Sequence, residues 1–180
     1  MKSSKPGDYC ENNWEVDCFR GNCIKLLHGQ RTQTLVSERS VSANAALEIM
    51  TAALETCRKH GTLVTITVLD RAGRTVASVR DDGASPHSVE HSLRKAYTAL
   101  TYNMSSGEYG KRAVKNPTGV GALHLANITT APGGLPIRSG NTLVGAIGVS
   151  GTTAEQGGGG ADEACAQSGI DRIAKGLSGN

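Results

Sequence analysis

The sequence predicts an α+β fold, with helices packed on a mainly antiparallel sheet. Three observations carry that prediction. Two runs of strand character, LVTITVLD and RTVASVR, are joined by a tight-turn sequence, Asp70-Arg71-Ala72-Gly73, as in a hairpin. Segments with apolar residues at helical spacing lie on both sides of that hairpin. The strand-rich block from Gly134 to Gly151 is again broken only by a short turn, Ser139-Gly140-Asn141.

Residues 1–40 are polar, mixed in charge and without sustained periodicity, and read as an N-terminal extension that docks through Trp14 and Leu26/Leu27. The domain proper spans 41–180. Ser42 is a candidate N-cap for a helix carrying Ala46, Ile49, Met50, Ala53, Leu54 and Cys57, and Gly61 is its stop signal. After the hairpin, Ser85 and Pro86 open a second helix. Val89, Leu93, Ala96, Leu100 and Met104 form its expected core face, opposite His87, His91, Arg94, Lys95, Thr98 and Tyr102. From Gly107 to Asn127 a basic patch and a Pro/Gly loop carry little pattern. Leu123 to Thr130 is expected as a strand, Gly134 to Arg138 as an edge strand because of Pro136, and Thr142 to Gly151 as a strong strand. The run QGGGG reads as a flexible joint before a final helix opening near Asp162-Glu163, with Ala166, Ile170, Ile173, Ala174 and Leu177 inward.

Composition narrows the function. The 180 residues carry a net charge of +3, scattered rather than striped, which argues against nucleic acid as a partner. No run approaches ~18 apolar residues, so no membrane span is expected, and no signal segment is visible, so the expected location is cytoplasmic. Only Tyr97, Tyr102 and Tyr109 are aromatic beyond residue 41, leaving a core of Ala, Val, Leu and Ile. Five cysteines without a CxxC, at 10, 18, 23, 57 and 165, read as free thiols in a reducing compartment, with a metal or disulfide in the extension as the alternative.

GAIGVSG sits inside a strand pattern rather than opening a helix, so its glycines read as helix-on-sheet packing and no nucleotide cofactor is expected. Ser105, Ser106 and Ser150 have no visible base. One constellation carries chemistry: His87, His91 and Lys95 at i, i+4 and i+8, where two imidazoles on adjacent turns face a shared metal or a planar ligand. The plain alternative is a solvated or subunit-contact helix face. Neutral imidazole also suits haem iron. His124 is a further candidate ligand; His28 and His60 read as surface residues.

The pieces TITVLDRAGRTVASVRDDGA, SLRKAYTA, GGLPIRSGNTLVGAIGVSG and DEACAQSGIDRI, in this order over 41–177, resemble the GlcG/HbpS-like family, whose domain also ends PduO-type proteins. The resemblance implies a profilin-like antiparallel five-stranded sheet flanked by helices in α/β/α layers, assembled as a homodimer or larger homo-oligomer. It implies haem or a related tetrapyrrole as ligand, with degradation or sensing attached. Iron-binding members carry a Glu-x-x-Glu before KA-x-TA; here Glu90 is followed by Leu93. On this reading His91 or His87 approaches the metal, Arg94 and Lys95 meet propionates, Tyr97 or Tyr109 lines a wall, the Gly133-Gly134 backbone sits against the ligand, and His124 is a further binding candidate. Two other functions compete. One is an enzyme acting on a small hydroxy acid, aldehyde or diol, with His91 as base and Lys95 stabilising negative charge. The other is an oligomeric structural or interaction protein.

Overall fold

The computed structural model describes the backbone of residues 17–19, 22–24 and 35–178, and side chains within 35–116 and 121–178. Two units separate at Ser37/Glu38. In the first, β1 (Asp17–Phe19) and β2 (Asn22–Ile24) form an antiparallel ladder that sets Cys18 opposite Cys23. Trp14, Leu26, Leu27 and Cys10 lie outside the described residues.

In the second unit, α1 (Ala43–Lys59) starts where Ser42 accepts the Ala45 N–H and stops before Gly61, whose φ of +69° glycine adopts without strain. It buries Ala46, Ile49, Met50, Ala53 and Cys57. The hairpin β3 (Thr65–Asp70) and β4 (Thr75–Arg80) follows, its turn closed by the Arg74 N–H on Asp70 Oδ1 at 2.8 Å. Helix α2 (Ser88–Tyr102) begins three residues after Ser85, because Ser85–His87 first form a turn that the Ser88 N–H closes on the Ser85 carbonyl.

The segment between α2 and the last strands departs most from expectation. Ser106–Lys115 is a helix, α3, capped by Ser105 on the Glu108 N–H, and a 3-10 segment covers Pro117–His124. Leu123–Thr130 is not a strand. Asn127 has a φ of +65°, which interrupts extended backbone, and the Thr129 N–H goes to Thr98 Oγ1 instead of to a neighbouring strand. Strands β5 (Gly134–Ser139) and β6 (Thr142–Ser150) complete an antiparallel sheet of four strands, not five, ordered β4-β3-β6-β5. Pro136 does lie on an edge strand.

Helices α1 and α4 (Gly158–Arg172) cover one face of the sheet and α2 the other, and the short α5 (Ala174–Leu177) is the last described element. Ile49, Ala53, Ile66, Val68, Ile147, Val149 and Ala166 fill the α1/α4 side. β3 is therefore buried on both faces, Thr65, Thr67 and Leu69 turning toward α2. The QGGGG run is not a joint. Gly158–Gly160 form the first turn of α4, where a Cβ on Gly159 would come within 2.2 Å of Pro132.

Two further corrections bear on function. Cys57 and Cys165 are not free thiols but a disulfide tying α1 to α4 across the core, with Cα atoms 5.6 Å apart. Such a bond is favoured by an oxidising compartment over the cytoplasm. On α2 the expected faces are rotated: Val89 is 45% exposed, while Ser88, Ser92, Lys95 and Thr98 are buried. Close approach explains it. A Cβ on Gly148 would lie 2.0 Å from the Ser92 carbonyl oxygen, so α2 rests on the sheet through serine and alanine rather than through bulkier side chains.

Candidate functional site

The first two turns of α2, the end of β6 and the start of α4 enclose a cleft of about 340 Å³, lined by His87, His91, Lys95, Ser150, Thr152 and Asp162 with neighbouring loop residues. Its floor is an ion pair. Lys95 Nζ lies 2.7 Å from Asp162 Oδ2, with both side chains 3% exposed, and also donates to the Val149 carbonyl at 3.0 Å. The Thr152 N–H donates to Asp162 Oδ1 at 3.3 Å. Burial pushes the Lys95 ammonium below its ordinary pKa, and Asp162 pulls it back up. Gly133, at φ +125°, closes over the pair; a Cβ there would come within 2.9 Å of Nζ.

One turn before Lys95, the half-buried His91 ring spans the cleft. Its Nδ1 is 3.3 Å from Ser150 Oγ and its Nε2 3.5 Å from Thr129 Oγ1. These long contacts position the ring without committing either nitrogen strongly. Burial first, then the positive charges of Lys95, His87 and Arg94, push the His91 pKa down to about 4. The imidazole is therefore neutral at physiological pH, as a metal ligand or proton acceptor requires. His87 is exposed at the rim.

The other sequence-derived candidates lie elsewhere. Arg94 faces Glu90 at 3.7 Å on the outer side of α2. Tyr97 lines a separate depression with Arg71 and Leu100. Tyr109 is buried in a small cluster with Ala113 and Ile128 and stacks on Tyr102 with ring centres 3.9 Å apart; burial raises its pKa to about 12. His124 is exposed at the end of the 3-10 segment. Gly134 packs against the Lys95 backbone, where a Cβ would be 2.0 Å from the carbonyl oxygen. Lys95 is thus occupied by Asp162 rather than displayed to an incoming carboxylate. Sequence reasoning missed Asp162, Ser150 and Thr129. Asp162 read only as a helix-dipole charge, 67 residues from its partner, and Ser150 as a serine without a base. Among the described residues, no three His, Cys, Asp or Glu side chains converge to hold a metal ion, and no helix is long and apolar enough to cross a membrane.

The model of the haem-degrading HbpS-like proteins matches residues 41–171. The chain belongs to the HbpS-like family. HbpS of Streptomyces reticuli, solved as a double glutamate-to-aspartate mutant, is 31% identical with a TM-score of 0.71, over 79% of this chain and 93% of that one. PduOC in complex with haem is 25% identical with a TM-score of 0.64, over 74% and 95%. An uncharacterised 15.0 kDa protein from the dhaT-dhaS intergenic region of Citrobacter freundii is 38% identical over 96 residues, 52% of this chain and 67% of that protein. On α2 of this chain, Glu90 is 74% exposed and faces Arg94, and Leu93 is half-buried.

Proposed function

We propose that this HbpS-like protein binds haem or a related tetrapyrrole at the α2 cleft, with His91 as the side chain that meets the iron and His87 beside it at the rim. The observation that carries this reading is the His91 ring, neutral down to about pH 4 and held by two contacts of 3.3 and 3.5 Å. The donor set fits iron in a porphyrin, which asks for one or two neutral ligands rather than a three-residue cage. The cleft fits less than the whole macrocycle. At about 340 Å³ it lies at the low end of the ~300–1,000 Å³ usual for ligand sites, so part of the ring stays outside. Bound haem would supply redox chemistry with oxygen. The chain's own part is to present the imidazole, keep it unprotonated and fix its plane through Ser150 and Thr129. The family and the haem complex of PduOC support the ligand class.

Haemin titration followed by absorbance tests this. A saturable Soret shift at one haem per one or two chains, lost in His91→Ala, is expected. A shift unaffected in the His87→Ala/His91→Ala double variant removes both residues from the site.

The small size of the cleft and the imidazole beside a buried ion pair favour one second reading, an enzyme acting on a hydroxy acid, aldehyde or diol with His91 as the proton acceptor and the Lys95 charge close by. Turnover of such a panel without haem would establish it. Inactivity of folded protein across the panel would dismiss it.

A further inference from the structure

A second and larger cavity, about 680 Å³, shares Pro132 as a wall with the His91 cleft and is otherwise lined mainly by α3 and the start of α4. Its chemistry differs from that of the first. Lys111 and Lys115, one turn apart on α3, stand on its edge, both exposed and neither in an ion pair among the described residues, whereas the neighbouring Arg112 is taken by Glu108. Val114, 80% exposed, and Pro132 add apolar surface. On the α4 side, Glu163 Oε1 is buried without a hydrogen-bond partner among the described residues, close enough to Gly107 that a Cβ there would lie 2.9 Å away. A buried carboxylate oxygen without a donor is costly, and a ligand N–H would satisfy it. The lining contains no imidazole or thiol.

We propose that this cavity binds a linear, metal-free tetrapyrrole, an inference that rests on the haem reading for its ligand class. Three features of such a molecule match the lining. Its conjugated body is apolar, as Val114 and Pro132 require. Its two propionates answer the pair of lysines. Its pyrrolic and lactam N–H groups, no longer locked in a closed ring, can turn outward by rotation about the bridging bonds and reach Glu163. In a closed porphyrin those groups face the ring centre and cannot. The volume lies well within the range of small-molecule sites. The protein then has separate places for the closed and the opened ring, which is the arrangement expected where a ring-opening reaction supplies the second ligand.

Biliverdin, as the probe, is titrated into the full chain alongside haemin. The expected result is saturable biliverdin binding, weakened roughly tenfold in Lys111→Ala/Lys115→Ala, since exposed charge pairs contribute modestly. Val114→Asp, at an exposed position that leaves the fold intact, should weaken it at least as much by repelling the carboxylates. Glu163→Gln, checked for folding by circular dichroism, should also weaken it. His91→Ala should leave biliverdin binding unchanged. Non-saturating binding, or saturation with equal affinity in the Lys111/Lys115 and Val114 variants, overturns the assignment. The haemin arm separates the two readings. If haemin ignores His91 while biliverdin follows the α3 variants, the cleft assignment falls and the cavity assignment stands.

Discussion

Asp162→Asn tests whether the Lys95 pair is the anchor of the site. The substitution preserves size and an acceptor for the Thr152 N–H but removes the charge that sits 2.7 Å from Lys95 Nζ, where both side chains are 3% exposed. Taking one partner from a buried ion pair leaves an uncompensated charge, a loss of about 3–5 kcal/mol. At ~2–4 °C per kcal/mol for a chain of this size, the midpoint should fall by roughly 10 °C. Urea denaturation of the oxidised protein would measure the loss. Lys95→Met/Asp162→Leu is the control, because replacing both charges by apolar groups should recover most or all of it. The pH dependence is a second signature. Burial lowers the Lys95 pKa below the unfolded 10.5, so between the two values the unfolded chain binds more protons and stability rises with pH. In Asp162→Asn that rise should start at lower pH. A loss under about 1 kcal/mol would refute the argument, since it would mean that water reaches the pair.

Four other outcomes follow from the same geometry. Because His91 falls from 6.5 to about 4 on folding, its contribution is full above pH 6.5 and is lost as pH falls toward 4. Discounted for the half-exposed ring, about 1–2 kcal/mol of acid sensitivity should therefore disappear in His91→Ala, as read from denaturation midpoints between pH 7 and 4. Cys57→Ser/Cys165→Ser opens a bridge across 108 residues and should cost ~2–5 kcal/mol, checked by thermal melting against the intact protein. Gly148→Ala places a Cβ 2.0 Å from the Ser92 carbonyl oxygen and should destabilise by ~1–3 kcal/mol or more, or block soluble expression. Ser106→Ala removes the hydroxyl that donates to the Ala131 carbonyl at 2.7 Å and accepts the Gly134 N–H at 2.9 Å; a loss of about 1–3 kcal/mol in urea is expected.

Local signals made part of this molecule readable before its structure. Ser42 and Gly61 bracket α1, the DRAG turn makes the hairpin, and Gly148 of GAIGVSG serves the helix-on-sheet packing expected of that run, whereas Gly145 and Gly151 lie against strand and loop backbone. What was not readable depends on distant partners. Hydrophobicity alone puts Lys95 and Thr98 on the outer face of α2 and Val89 on the inner one. The contact with β6 selects instead for small side chains, and Asp162 makes burial of the lysine tolerable. Helix α3 was obscured by Gly107 and Gly110, poor helix formers, although the Ser105-x-x-Glu108 spacing marks its start. Cysteine spacing cannot pair Cys57 with Cys165, so the disulfide and its bearing on compartment came only with the fold.

The ion pair and the imidazole act as one device. Lys95 ties α2 to the β6 carbonyl of Val149 and to α4 through Asp162, which fixes the helix turn that carries His91. The same ammonium is also, after burial, the next largest cause of the low His91 pKa. Anchoring and tuning therefore cannot be varied independently at this position. Lys95→Met/Asp162→Leu, which removes the ammonium without leaving a buried charge unpaired, should release part of the repulsion and let the imidazole titrate closer to 6.5. Haemin binding at pH 5 would then weaken while binding at pH 8 persists, a split that simple loss of packing would not produce.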